Sequence, residues 1–140
     1  MDRILVGLDA SPRAKGVLDN AIELARRLGG KLVLFRAVGI PVEVPPEAYS
    51  MSPAALAEML EEEAKKYLNR MAEAVPEGLL LETAVGIGTP WQSICHAAQE
   101  KKCDLIVIGS HGYSGIDKLI GTTAAKVVNH AQRSVLVVRS

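Results

Sequence analysis

Five short runs of apolar residues divide this chain at fairly regular intervals. They are rich in Val, Ile and Leu and are bounded by turn-forming residues, so they predict β-strands. Runs such as LIVIG and VLVV are apolar at successive positions, which is typical of strands that a parallel sheet buries on both faces. The predicted strands are Arg3–Leu8, Lys31–Val38, Leu79–Val85, Cys103–Gly109 and Ser134–Arg139.

The segments between these runs carry apolar residues three or four positions apart, the spacing of a helix with one buried side. Three of these segments open with a hydroxyl residue followed by proline, at Ser11-Pro12, Ser52-Pro53 and Thr89-Pro90. A hydroxyl side chain is a good N-cap, and proline suits the first helical position because its missing N–H would have no partner there. Gly29-Gly30 predicts the end of the first helix, since glycine readily adopts the left-handed conformation found there.

A fourth helix is predicted from about Thr122 to Gln132, with Ala125, Val127 and Val128 facing inward. Five strands alternating with four helices predict a doubly wound, Rossmann-like α/β fold, in one domain covering residues 1–140. In such a sheet a ligand lies beyond the carboxyl ends of the strands, where the winding reverses. The longest irregular connection, Gly39–Met51, contains three prolines and is expected beside that ligand.

Charge and composition narrow the class of partner. The 140 residues include 16 basic and 16 acidic side chains, and 49% of the residues are hydrophobic. A balanced charge without a basic patch argues against nucleic acid or an anionic membrane surface as the main partner. No apolar run approaches the roughly 20 residues that span a bilayer, and the N-terminal run is too short for a signal peptide. We therefore expect a cytoplasmic protein in which Cys95 and Cys103 are reduced thiols.

A glycine-rich loop joins the fourth predicted strand to the fourth predicted helix. Gly109, Gly112 and Gly121 lie in it, and Thr122-Thr123 follows at the start of the helix. Glycines let a backbone approach a ligand closely, and the unpaired N–H groups of a helix N-terminus favour an anion. Strand, glycine loop and helix start in this order predict a phosphate-binding site.

The two common nucleotide motifs do not account for this loop. The sequence has no Gly-Lys-Ser/Thr tripeptide of a Walker P-loop, and Trp91 stands where a Rossmann G-x-G-x-x-G motif would place its third glycine. The remaining pattern, Gly109-x2-Gly112-x8-Gly121-Thr122, resembles the signature of the universal stress protein family in its nucleotide-binding branch. The second gap is one residue shorter than in the usual G-x2-G-x9-G-[ST]. The resemblance extends to LVGLDAS near the start, VIGSHG in the middle and VLVVR at the end.

This resemblance implies a strand order of 3-2-1-4-5, as in adenine nucleotide alpha hydrolase-like folds, with an adenine nucleotide at the carboxyl ends of the strands. ATP is the first choice, with ADP or AMP as alternatives, and Mg²⁺ would be held by the phosphates near Asp9. The implied nucleotide-binding residues, beginning with those at the adenine and ribose and ending with those at the outer phosphates, are Gly7, Leu8, Asp9, Val38, Gly109, Ser110, His111, Gly112, Tyr113, Gly121, Thr122 and Thr123.

Some of these residues have other interpretations. Asp9 could orient a ribose hydroxyl or a phosphate-bound Mg²⁺, or it could only help to cap the first helix. His111 could fit a turn, and as a general base it lacks a carboxylate to orient it. A metal site built from Cys95, His96, Cys103 and His111 would lack chelate spacing, so we predict no metal site formed by protein ligands alone.

The last predicted strand, Ser134–Arg139, would expose unpaired backbone and apolar side chains if it lies at a sheet edge. The family resemblance implies that this strand pairs across a two-fold axis in a homodimer.

Three functional hypotheses follow. The first is a stress-response-type regulatory protein that binds an adenine nucleotide. The second is a slow ATPase that uses the same pocket, slow because no lysine, arginine finger or activating carboxylate is evident near the glycine loop. The third is a nucleotide-free dimeric scaffold. We assign no catalytic residue.

Overall fold

The structure is a computed structural model that describes residues 2–40, 50–110 and 120–139. Residues 41–49 of the Gly39–Met51 connection and the predicted site residues His111, Gly112 and Tyr113 lie outside the described residues. The elements are β1 (Arg3–Gly7), α1 (Ala14–Leu28), β2 (Lys31–Val38), α2 (Pro53–Ala72), β3 (Leu80–Ile87), α3 (Pro90–Glu100), β4 (Leu105–Gly109), α4 (Thr122–His130) and β5 (Ser134–Val138).

The five strands form one parallel sheet in the order β3-β2-β1-β4-β5. The register pairs Ile4 of β1 with Leu32 of β2 on one side and with Leu105 of β4 on the other. The predicted doubly wound fold, with its strand order, is confirmed. The carboxyl ends of β1, β2 and β4 consequently lie side by side at one edge of the sheet.

Apolar layers cover both faces of the sheet, because successive strand residues point to opposite sides. One layer packs against α1 and α2 and contains Val6, Leu34 and Val107 with Leu18 and Leu68. The other packs against α3 and α4 and contains Leu5, Val33 and Ile106 with Ala98 and Val127. The prediction of strands buried on both faces is correct for β1, β2 and β4, whereas β5, which contains the run VLVV, has Leu136 38% exposed. Among the described residues, no helix combines the length and apolar character needed to cross a membrane.

The start of α2 follows the predicted capping pattern, but the start of α3 follows it only in part. The Ser52 hydroxyl accepts the Ala55 N–H at 3.1 Å, and Pro53 is the first residue of α2. Thr89 precedes Pro90 in the same way, yet its hydroxyl makes no cap hydrogen bond. The same sequence pattern therefore forms a side-chain cap at the start of α2 but not at the start of α3.

The prediction of Ser11 as the N-cap of α1 is wrong. This helix begins at Ala14, with Arg13 in the N-cap position. The Ser11 hydroxyl donates to the Asp9 carboxylate at 2.6 Å and accepts the Arg13 N–H at 3.3 Å, so it stabilises the turn before the helix instead. The predicted end is correct, since Gly29 has a φ of 70°, in the left-handed region.

In α4 the buried side chains are Ala124 and Val127, and Val128 is 48% exposed. The prediction that Val127 faces inward is correct, whereas the one for Val128 is wrong. One helical step rotates a side chain by about 100°, so Val128 is turned away when Val127 faces the sheet.

The sole tryptophan of the chain lies where α3 meets α4. The Trp91 ring centroid is 4.4 Å from that of His130, with the planes tilted by 34°. The Lys126 ammonium lies 5.9 Å from the Trp91 ring centroid, within range of a cation–π interaction. These contacts join the first residues of α3 to the last turn of α4.

Polar contacts lie at the amino ends of the strands. Asp104 accepts the backbone N–H groups of Asp2 and Arg3, and these bonds hold the pKa of its carboxyl below the usual range. Lys101 lies 2.6 Å from the Glu82 carboxylate. The opposite edge of the sheet, at the carboxyl ends, remains open.

We predict that Ser52→Ala lowers the free energy of unfolding by about 1 kcal/mol, because it removes the cap of α2. Chemical denaturation followed by circular dichroism measures this loss. The matched control is Thr89→Ala, whose hydroxyl caps nothing, and it should change stability by less than about 0.5 kcal/mol. Equal losses in the two variants would contradict the capping role of Ser52.

Candidate functional site

A cavity of about 730 Å³ opens at the carboxyl ends of β1, β2 and β4. It lies where the winding reverses, since α1 after β1 packs on one face of the sheet and α4 after β4 packs on the other. The described lining residues are Gly7, Leu8, Asp9, Ser11, Arg13, Val17, Arg36, Ala37, Val38, Gly39, Ile40, Pro90, Ile94, Ile108, Gly109, Ser110, Gly121, Thr123 and Ala124.

The turn between β1 and α1 fixes Asp9 at the cavity wall. One oxygen of its carboxylate, Oδ1, accepts both the backbone N–H of Ser11 at 3.1 Å and the Ser11 hydroxyl at 2.6 Å. The backbone carbonyl of Asp9 accepts a hydrogen bond from the Tyr67 hydroxyl at 2.7 Å. The carboxylate therefore has a defined position, with its second oxygen still able to accept hydrogen bonds from a ligand.

The N-terminus of α4 forms another part of the wall. Gly121 is its N-cap, in an extended conformation with φ −62° and ψ 161°, and has no side chain to cap the helix. The first helical bond runs from the Ala125 N–H to the Gly121 carbonyl, so the three preceding N–H groups have no acceptor within the helix. Such a helix end attracts anions through its N–H groups and its dipole.

The backbone N–H groups of two predicted site residues already have acceptors within the protein. The Ser110 N–H donates to the Val138 carbonyl at 2.9 Å, and the Gly121 N–H donates to the Ser110 carbonyl at 2.7 Å. These bonds fix the position of α4 relative to β4 and β5. An anion at this wall would therefore use the N–H groups that follow Gly121, rather than those of Gly121 and Ser110.

The glycines at the ends of β1 and β4 are explained by packing. A Cβ on Gly7 would lie 2.9 Å from Cγ2 of Ile108, and a Cβ on Gly109 would lie 3.2 Å from Cγ2 of Val17. Both neighbours line the cavity. A side chain at either position would push the apolar wall, so these glycines preserve the shape of the site.

Two arginines of the cavity wall were not among the site residues predicted from the sequence. Arg13 occupies the N-cap of α1, and Arg36 lies near the end of β2, where its Nη1 donates to the Ala37 carbonyl at 2.6 Å. The signal for Arg36 is visible in the sequence, because it is the one charged residue in the run LVLFRAV. With Asp9, they are the charged residues among the described lining residues.

The structure brings most of the predicted site residues to one cavity. Thr122 is the exception among those it describes, since Thr123 lines the cavity and Thr122 does not. His111, Gly112 and Tyr113 lie outside the described residues. The predicted residues that line the cavity are Gly7, Leu8, Asp9, Val38, Gly109, Ser110, Gly121 and Thr123.

The chain matches the model of the universal stress protein family over residues 1–139. It belongs to the universal stress protein family. Universal stress protein Sll1388 of Synechocystis is 30% identical, over 98% of this chain and 97% of that protein.

Solved structures of universal stress proteins are also similar. UspA from Lactobacillus plantarum has a TM-score of 0.77 at 28% identity, covering 99% of this chain and 97% of that one. A universal stress protein in complex with cAMP has a TM-score of 0.65 at 28% identity, covering 99% of this chain and 98% of that one. The resemblance first suggested by the glycine pattern is thus confirmed at the level of the family.

For this universal stress protein we predict that Gly121→Val weakens binding of an adenine nucleotide at least about tenfold, a loss of roughly 1.4 kcal/mol. Valine is compatible with the extended conformation of Gly121, so the fold should persist, but its side chain would enter the space before the α4 N–H groups. Isothermal titration calorimetry measures the affinity, and thermal denaturation checks the fold.

Thr122→Val is the matched control, because Thr122 neighbours Gly121 without lining the cavity. Its affinity should stay within about twofold of the wild type, which is within the scatter of surface substitutions. If Thr122→Val weakened binding as much as Gly121→Val, the cavity beside Thr123 would not be the anion site.

Proposed function

We propose that this universal stress protein binds an adenine nucleotide in the cavity at the carboxyl ends of its strands and acts as a stress-response-type regulator. ATP is the first-choice ligand, with ADP and AMP as alternatives. The observation that carries the proposal is the cavity itself, which lies at the reversal of winding and includes the uncapped N-terminus of α4 in its wall. In this proposal, residues 1–140 act as one nucleotide-binding domain in the cytoplasm.

The charge and hydrogen-bond donors of the wall support a phosphate-bearing ligand. The N–H groups at the start of α4 favour an anion, and Arg13 and Arg36 add two guanidinium groups to the wall. In our proposal the phosphates accept hydrogen bonds from the backbone N–H groups that follow Gly121, beside Thr123 in the cavity wall. The loop residues Gly109, Ser110, His111 and Gly112 contact the ribose and the inner phosphate, and Tyr113 follows them in the sequence.

The apolar part of the wall supports a planar base. Val17, Ile94 and Ile108 line it, together with Pro90 at the start of α3. The Val38 carbonyl, proposed to contact the adenine edge, already accepts the Gly88 N–H at 2.9 Å. A carbonyl oxygen has two lone pairs, so it can accept a second hydrogen bond from an adenine amino group.

The sugar and the metal are assigned to Asp9 in this proposal. Its Oδ1 is held by Ser11, and its other oxygen is suited to a ribose hydroxyl or to Mg²⁺ on the phosphates. Within residues 2–40, 50–110 and 120–139, no group of three or more His, Cys, Asp or Glu side chains could hold a metal ion. Phosphate oxygens and water would therefore complete the coordination of the Mg²⁺. The relative solved with cAMP further supports an adenine ligand.

Calorimetry with ATP, ADP and AMP, on protein freed of endogenous nucleotide, tests the proposal. We expect saturable binding of at least one of them with a stoichiometry of about one per chain, as for a single ligand in the cavity at the ends of β1, β2 and β4. A phosphate-release assay on the same samples separates binding from hydrolysis. Turnover above about one per second, the low end of typical enzymes, would favour the ATPase hypothesis. Absence of binding by all three nucleotides would leave the nucleotide-free scaffold.

We also propose a homodimer formed through β5. This strand is an edge of the sheet, paired with β4 along one side. Its Leu136 is 38% exposed. An exposed apolar edge strand favours self-association, because its unpaired backbone can pair with another chain. The near-zero net charge of the chain removes an electrostatic barrier to such pairing.

Sedimentation velocity at micromolar concentration should give the mass of a dimer. Leu136→Lys should shift the equilibrium towards monomer, because a lysine on an edge strand opposes pairing. Leu81→Lys is the control, since Leu81 is 42% exposed on β3 at the other edge, and it should leave the dimer intact. A wild-type protein that sediments as a monomer would rule out the dimer.

A further inference from the structure

Tyr67 of α2 forms a hydrogen bond to Asp9, a residue of the cavity wall. Its ring packs against the apolar layer between the sheet and the helices α1 and α2, and its hydroxyl donates to the Asp9 carbonyl at 2.7 Å. It is not one of the described lining residues. The contact joins positions 58 residues apart, so it ties α2 directly to the turn that follows β1.

The turn after β1 needs such a contact because regular structure holds it only at its two ends. The sheet holds it as far as Leu8, whose N–H donates to the Phe35 carbonyl at 2.9 Å, and α1 holds it from Ala14 onwards. Between these points Ser11 holds the carboxylate of Asp9, and Tyr67 holds its backbone carbonyl. Side chain and backbone of Asp9 thus have separate partners.

The geometry of the peptide bond links the Tyr67 contact to the carboxylate. The peptide between Asp9 and Ala10 is planar and trans, so fixing its carbonyl also fixes the opposite direction of the Ala10 N–H. Displacement of this peptide group would also shift the Asp9 Cα that is bonded to it, and with it the side chain, relative to the cavity. The Tyr67 hydroxyl opposes that displacement.

We infer that Tyr67 is a positioning residue of the nucleotide site, and that its hydroxyl fixes the orientation in which Asp9 meets the ligand. This inference rests on the proposed function, because it requires Asp9 to contact the bound nucleotide. A purely structural hydrogen bond would stabilise the fold without any coupling to the chemistry of Asp9. Coupling between Tyr67 and Asp9 in ligand binding therefore distinguishes the two roles.

Tyr67→Phe removes the hydroxyl and keeps the ring packed. We expect ATP to bind roughly threefold to tenfold more weakly, the range that corresponds to one hydrogen bond. In an Asp9→Ala background the same change should alter the ATP affinity by less than about twofold, because the carboxylate that Tyr67 positions is gone. Calorimetry on the four proteins of this double-mutant cycle measures the coupling.

A measurement without nucleotide tests the structural half of the inference. The Ser11 and Arg13 N–H groups donate to the Asp9 carboxylate and to the Ser11 hydroxyl, so their hydrogen exchange reports on the turn. Both should exchange faster in Tyr67→Phe. Ser52→Ala is the control for general loosening of α2, since the hydrogen bond of Ser52 lies at the start of α2 and does not involve Asp9. The ATP affinity of this variant should stay within about twofold of the wild type.

The outcomes separate the two proposals. Unchanged affinity in Tyr67→Phe, equal losses in both backgrounds, or unchanged exchange at Ser11 and Arg13 would each overturn the inference alone. A wild-type protein that binds no nucleotide would overturn the proposed function and the inference with it. Faster exchange together with a loss of affinity that disappears in the Asp9→Ala background supports the inference.

Discussion

The cavity depends on the divergence of the chain after two neighbouring strands. The helix that follows β1 packs on the face covered by α1 and α2, and the helix that follows β4 packs on the face covered by α3 and α4. Because the two helices lie on opposite faces, a crevice forms at the ends of these neighbouring strands. The apolar layers on both faces hold this arrangement in place, since they bury the central strands β1, β2 and β4 over most of their length. The binding site is thus a consequence of how the sheet is wound.

Around this crevice, each wall obtains its character from the end of a different element. The end of β1 contributes the Asp9 carboxylate, the end of β2 contributes Arg36, and the start of α4 contributes N–H groups that have no acceptor within the helix. The helices contribute apolar surface through Val17 and Ile94. A wall that is part apolar and part cationic suits a molecule with a flat base and an anionic tail, which is why the geometry and the family relationship support the same class of ligand.

Sequence reasoning worked where a local pattern fixes local structure. Continuous apolar runs predicted all five strands, and Gly29 predicted the end of α1. The order of the strands followed from the family resemblance, because periodicity contains no information on which strands are neighbours. The Ser-Pro pattern predicted the cap of α2 but failed for α1, where the nearby Asp9 carboxylate binds the Ser11 hydroxyl. A propensity rule does not include such a competing tertiary partner.

The site was predicted less completely than the fold for related reasons. A motif identifies the chain that surrounds a ligand, but it does not distinguish Thr122 from Thr123, whose side chains leave the helix about 100° apart. Arg36 and Tyr67 belong to no motif, and their relation to the cavity arises only when distant segments pack together. Chemistry contributed by scaffold residues is therefore the part that a linear pattern misses.

The contact between Trp91 and His130 has a practical consequence. Since the chain contains a single tryptophan, all of its indole fluorescence arises at the junction of α3 and α4, one residue beyond Pro90 in the cavity wall. An imidazole ring and an ammonium group adjoin that fluorophore, and both are able to alter its emission when they move relative to the indole ring. The protein thus carries an intrinsic optical probe of the space between these two helices, without the addition of any label.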